Sequence, residues 1–219
     1  MSKKQFVVVG LGRFGFSVAT NLYELGHEVL AIDKDEEIVH LIQDQVTHSV
    51  ICDTEDEENL KALGVRNFDV AVVAIGSNIE ASIMTTLLLK EMGVKYIVAK
   101  ANDDTHARVL KKIGADKVIS PEKDMGKRVA HNLISSNVLD YIELSADYSL
   151  VEIIAQKDWI GKTLVQLDLR IRYGINVMAI KKGSDMNITP SPNEIIEAED
   201  ILVVIGSNEV TETDFFNGK

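Results

Sequence analysis

The chain has 219 residues, with 23 Lys and Arg against 34 Asp and Glu. The resulting net charge of −11 argues against broad binding to nucleic acid or anionic lipid. Its 46% hydrophobic and 26% charged residues exclude a wholly disordered chain, and the single cysteine, Cys52, permits neither an internal disulfide nor a multi-cysteine zinc site. No apolar run approaches the roughly 18 residues of a membrane span. The opening MSKKQFVVVG is too short in its apolar part for a signal peptide, so a cytosolic globular chain without direct membrane insertion is expected.

From residue 5 to about residue 120, short apolar runs alternate with helical patterns. The runs are Phe6–Val9, Val29–Ile32, Ser49–Cys52, Val70–Ile75, Tyr96–Ala99 and Lys117–Ile119. Between them, Val18, Leu22 and Leu25, then Ile83, Leu87 and Met92, keep the helical spacing. This alternation predicts a Rossmann-like, doubly wound parallel α/β sheet over residues 1–120. Gly26, Gly64, Gly93 and Gly114 fall where left-handed C-caps end helices.

After Pro121 the pattern changes. Residues 121–137 read as a connecting helix with Met125, Val129 and Leu133 on one stripe, and residues 138–219 as a small α+β lobe. Within that lobe, strands are expected over 138–144, 149–155, Ile175–Ile180 and Ile201–Ile205, with one helical turn near 163–169. Gly183-Ser-Asp is a hairpin signal, and the tail from Asn208 is weakly patterned.

The glycine-rich turn Gly10-Leu11-Gly12-Arg13-Phe14-Gly15 follows the first strand, opens the first helix, and precedes Asp33 at the end of the second strand. In that register Gly10 makes the tight turn, Gly12 lets a phosphate reach the backbone, and Gly15 allows close helix packing. Asp33 accepts hydrogen bonds from ribose hydroxyls, with Lys34 and Asp35 beside it. A dinucleotide is the default ligand of this fingerprint. Arg13 places a permanent cation beside the phosphates, where the terminal phosphate of ATP or ADP could use it, so both readings stand. Further lining is expected at the C-terminal strand ends: Asp53 and Thr54; Ile75, Gly76 and Ser77; Lys100, Ala101 and Asn102.

Catalytic signals are sparse. Tyr96-x-x-x-Lys100 has reductase spacing but lies on a strand pattern, whereas that chemistry needs one helical turn between the two residues. His27 and His48 read as turn or strand-edge residues and His40 and His131 as helix-surface ones. His106 stands close enough to the cofactor mouth to touch a ligand. No histidine pair has metal-ligand spacing, and Cys52 reads as a packed thiol rather than a nucleophile. A small NAD(P)-dependent oxidoreductase is the alternative reading. A nucleotide-binding transcriptional sensor is disfavoured by the acidic charge.

The glycine turn with Asp33, Gly64-Val-Arg-Asn-Phe-Asp69, Val73-Ala-Ile-Gly76, Ile113-Gly-Ala-Asp116, Pro121-Glu-Lys-Asp-Met125 and Tyr173-Gly-Ile-Asn176 together resemble RCK (regulator of potassium conductance) gating subunits. The likeness is greatest to the cytosolic Ktr subunits of bacterial potassium uptake systems, and it covers all but the last dozen residues. It implies a non-enzymatic regulator whose first lobe binds ATP or ADP, with NAD(H) as a further candidate. Arg13 would reach the terminal phosphate there. Glu122 would help hold a divalent or monovalent cation near the nucleotide of a neighbouring lobe. The resemblance also implies homodimers assembling into an octameric ring below a membrane potassium-translocating subunit of the Ktr B/D type. The chain would then be cytoplasmic and peripheral to the membrane through that partner. In the C-terminal lobe the resemblance implies a cyclic di-AMP site. Arg170, Tyr173 and Asn176 would be its polar contacts, and Leu164, Val165, Val177 and Pro192 its apolar ones.

Overall fold

The computed structural model describes residues 3–134 and 137–211, and the chain divides into two compact units, Met1–Glu122 and Lys123–Lys219. The first unit alternates strand and helix: β1 (Gln5–Val9), α1 (Arg13–Glu24), β2 (Glu28–Asp33), α2 (Glu36–Ile42), β3 (His48–Ile51), α3 (Glu57–Ala62), β4 (Val70–Val73), α4 (Ile79–Glu91), β5 (Ile97–Lys100), α5 (Asp104–Lys112) and β6 (Lys117–Ile119). All strand pairs are parallel, in the order β3-β2-β1-β4-β5-β6.

Strand alternation explains why these runs are apolar throughout. Val7, Val9, Leu30, Ile32, Ala71 and Val73 enter one core, while Val8, Val29, Ala31 and Val72 enter the core on the opposite face. Helices cover both faces, so neither set can be polar. The chain order reverses between β1 and β4, which opens a crevice beyond their C-terminal ends. The expected C-cap glycines all adopt positive φ, between +65° at Gly64 and +109° at Gly114.

The second unit begins within α6 (Pro121–Ile134) and continues through β7 (Val138–Glu143), β8 (Tyr148–Ile154), α7 (Leu164–Leu167), α8 (Leu169–Tyr173), β9 (Asn176–Lys182), β10 (Asp185–Asn187), β11 (Ile201–Ser207) and α9 (Asn208–Thr211). Its antiparallel sheet runs β10-β9-β11-β8-β7 over one core containing Trp159, Ile153, Ile180 and Leu202. Arg128 fastens α6 to β7, its Nε donating to Asp140 Oδ1 at 2.7 Å and its Nη2 to Asp140 Oδ2.

Four local expectations change. The strand expected through Ile75 ends at Val73, because after the Ala74 N–H donates to Val9 O at 2.7 Å the chain leaves the ladder. The single helical turn near 163–169 is two short helices, broken at Asp168, whose φ of +46° is left-handed. His131 does not stand free on its helix: it stacks on Tyr141 with ring centroids 4.2 Å apart. The first four tail residues form α9, and the rest of the tail lies outside the described residues. Met125, Val129 and Leu133 are all exposed in the single chain.

Candidate functional site

The crevice in the first unit is a cleft of about 340 Å³, within the ordinary range for small-molecule sites. Its wall includes Gly10, Gly12, Arg13 and Phe14 from the glycine turn, with Asp33 at the end of β2 and Lys34 just after it. Asp53 and Thr54 follow β3; Ile75, Gly76 and Ser77 follow β4; Lys100 and Glu122 complete the wall.

The glycines here have separable roles. Gly10 has φ +88°, and a Cβ there would stand 2.9 Å from Ile75 N. At Gly15 a Cβ would stand 1.8 Å from Gly10 O, so a side chain would push α1 off the turn. Gly12 is different: its φ is −60°, and a Cβ would meet nothing within 4 Å. Folding does not need a glycine at position 12; open backbone facing the cleft does.

Helix starts point the same way. The N-termini of α2, α3, α4 and α5 are capped by the side chains of Asp35, Asp56, Asn78 and Asp103. The start of α1 has no side-chain cap and no acid in its first turn. Its free N–H groups and positive dipole end face the cleft wall formed by Gly12 and Arg13, an arrangement suited to phosphate.

Charge is arranged around that start. Lys100 is largely buried; its Nζ lies 2.6 Å from Glu122 Oε1 and 6.0 Å from the Phe14 ring centroid. The Lys100 hydrogen bond holds the Glu122 carboxyl below its usual range, helped by a backbone bond and more weakly by the Arg13 charge. Asp33 binds backbone on both oxygens, accepting the Leu11 N–H at 2.6 Å and the Asp35 N–H at 3.0 Å.

Other expected contacts support the cleft without lining it. Leu11 and Ala101 are buried, Gly15 packs under Gly10, and Asp35 caps α2. The Asn102 side chain donates to Gly76 O at 2.5 Å, and its backbone N–H donates to His106 Nδ1 at 3.3 Å. His106, expected at the cofactor mouth, is 3% exposed because α5 carries it inward beneath that turn.

Sequence reasoning missed Val9, Ile32, Cys52, Glu55, Ala74, Asn78 and Ala81 on the wall. Cys52 is packed as expected, its thiol pushed up chiefly by burial, yet it also faces the cleft. Extending the strand-end rule by a few residues in each direction would have found them. Among the described residues no three His, Cys, Asp or Glu side chains converge on a common point, and the Glu122 carboxylate, expected near a cation, is bonded to Lys100.

In the second unit, Arg170, Asn176, Val165 and Pro192 are exposed, while Leu164, Tyr173 and Val177 pack partly against the core. The Val165 N–H donates to Pro192 O at 3.0 Å, so those two expected contacts are neighbours. Gly174, with φ +69°, turns the chain from α8 into β9 and links Arg170 and Tyr173 to Asn176.

Comparison with known proteins places this geometry. The TrkA-N domain family matches residues 6–121 and the TrkA-C domain family residues 149–213. Over 205 residues the chain is 55% identical to the Ktr system potassium uptake protein C of Bacillus subtilis, covering 94% of this chain and 93% of that protein. It is 47% identical over 206 residues to the Ktr system potassium uptake protein A of the same organism, with the same coverage. Among solved structures, the GsuK channel superposes with a TM-score of 0.71 at 16% identity. That match covers all of this chain and 40% of the longer channel chain, and it is a likeness of fold.

Proposed function

We propose, from the premise that this chain belongs to the RCK-domain family of Ktr potassium uptake subunits, that it is a regulatory subunit which senses an adenine nucleotide and adjusts a separate potassium-carrying membrane protein. One observation carries the nucleotide reading: a glycine turn whose middle glycine folding does not require, beside an uncapped helix start, two cations and a ribose-reading acid. Among the described residues no helix is long and apolar enough to cross a membrane, which fits a pore supplied by another chain.

ATP and ADP are the favoured ligands, because Arg13 and Lys100 put two cations beside the phosphate end of the cleft. NAD(H) is the competing occupant. A divalent or monovalent cation at Glu122 would draw its remaining ligands from the nucleotide, water or a second copy of the chain. Cyclic di-AMP is the proposed second ligand. Arg170 would pair with a phosphate and Asn176 would hydrogen-bond, while exposed Val165 and Pro192 offer apolar contact. Exchange of ligands would bias a ring built from homodimers, an octamer in this reading, and so the pore below the membrane face. No turnover of the nucleotide is part of the proposal.

A thermal-shift panel of ATP, ADP, NADH and cyclic di-AMP tests it. A ligand at a hundredfold excess over its Kd adds about 2.7 kcal/mol by mass action. ATP or ADP should raise the melting temperature, with a separate rise from cyclic di-AMP. Stabilisation by NADH alone would favour the oxidoreductase reading.

A further inference from the structure

The region beneath Gly76 contains a device that the nucleotide contacts do not use. Asn102, in the link between β5 and α5, is exposed, so its side-chain bond to Gly76 O competes with water. That bond persists only while the Asn102 backbone is fixed. His106 contributes to fixing it, its Nδ1 accepting the Asn102 N–H at 3.3 Å, alongside the Ala101 N–H bond to Ile119 O on the preceding residue.

The acceptor role sets the tautomer. Nδ1 carries no proton, so the neutral ring holds its proton on Nε2, which is buried without a hydrogen-bond partner among the described residues. A second proton can enter only at Nδ1, and there it would face the Asn102 N–H, donor against donor. We propose that Asn102 and His106 are positioning residues that hold the Gly76 turn of the nucleotide cleft, and that protonation of His106 releases the turn and weakens nucleotide binding.

The surroundings favour the neutral ring. Burial pushes the imidazole below the ordinary histidine value and outweighs the charge of Asp103, the N-cap of α5, which accepts the His106 backbone N–H at 2.8 Å. Of the elements packed against α5, α4 carries Glu80, Lys90 and Glu91 and β6 carries Lys117; Lys90 is paired with Asp116, and Asp103 is the charge whose effect on the ring stands out. With the folded value lowered, the neutral ring's contribution is complete above about pH 6.5 and is lost as pH falls from there through the lower, folded value, where the turn is released.

This inference rests on the nucleotide reading of the cleft. Its test compares wild type with His106→Asn, whose amide oxygen can replace Nδ1 as acceptor but does not titrate, and with Asn102→Ala, which removes the bond to Gly76 O. ADP affinity is measured by calorimetry at about pH 7.5 and about pH 5. Comparison at equal pH cancels titration of the nucleotide itself. On acidification wild type should lose at least roughly fivefold more affinity than His106→Asn, and Asn102→Ala should bind weakly at both values.

Hydrogen exchange of the segment 74–77 in nucleotide-free protein reads the same coupling without ligand. At about pH 5 that segment should exchange faster in wild type than in His106→Asn. Equal pH profiles for wild type and His106→Asn, or wild-type affinity and exchange in Asn102→Ala, would overturn the proposal. If wild type failed to bind ADP at either pH, the nucleotide reading would fall, and the exchange comparison would still decide the coupling. Should His106→Asn not fold, the pH profile of Asn102→Ala decides: with the bond to Gly76 O already gone it should lose less affinity on acidification than wild type, and an equal loss would overturn the proposal.

Discussion

Asp33 ties the glycine turn to the end of the second strand by accepting the buried Leu11 N–H at 2.6 Å on Oδ2. Its Oδ1 accepts the Asp35 N–H at 3.0 Å, which leaves one lone-pair direction on each oxygen for ribose. The acid therefore shapes the turn before any ligand arrives. Asp33→Ala should lower stability by about 1–3 kcal/mol, because the Leu11 N–H loses its acceptor in a buried site. It should also weaken every ribonucleotide. Asp33→Asn, which keeps one oxygen, should recover part of both losses. Denaturant unfolding and calorimetry would check this, and unchanged ADP affinity in Asp33→Ala would count against ribose recognition.

Arg13 is exposed at the first position of α1, beside the uncapped helix start. Arg13→Ala should reduce ATP affinity roughly tenfold while changing NADH affinity less, since a terminal phosphate gains most from a fixed cation. Titration with both ligands would decide. Equal losses would mean that Arg13 serves the inner phosphates or the general field.

The Arg128–Asp140 pair holds α6 to β7. The Arg128 hydrogen bonds keep the Asp140 carboxyl below its ordinary range. Its contribution is therefore present above about pH 3.9 and lost as pH falls through the lower, folded value. Because the guanidinium is 42% exposed, solvent screening limits the loss in Asp140→Asn to about 1 kcal/mol at neutral pH. Unfolding followed by the signal of buried Trp159 would measure it, and the gap between wild type and variant should close in acid.

Arg170→Ala should abolish binding of cyclic di-AMP and leave ATP binding intact, because the two sets of residues belong to different compact units. Parallel titrations would check both halves. Loss of ATP binding as well would mean that the substitution acts through folding rather than at a ligand.

The Rossmann-like half was legible because its signals are local and physical. Alternating residues such as Val7 and Val8 both meet apolar cores, and Gly10 and Gly15 occupy places where a Cβ has no room. Less legible was the depth of a side chain just past a strand. Asn102 lies just past β5 and His106 in the first turn of α5, yet of the three only Lys100, at the strand's end, reaches the wall. That outcome depends on where α5 begins, which Asp103 fixes by capping it. The break at Asp168 was hidden because a left-handed aspartate has no pattern of its own. The exposed stripe of Met125, Val129 and Leu133 was visible as a stripe, while what covers it is not encoded in its spacing.

The central claim is that a nucleotide phosphate approaches the backbone at Gly12. Gly12→Ala tests it directly, because the added methyl has open space and an ordinary φ in the ligand-free protein. Calorimetric titration of ADP into wild type and Gly12→Ala is the decisive measurement, paired with a melting curve of each without ligand. The account predicts melting temperatures that agree closely and an ADP affinity reduced roughly tenfold or more in the variant. Undiminished ADP affinity in a normally folded Gly12→Ala protein would contradict it.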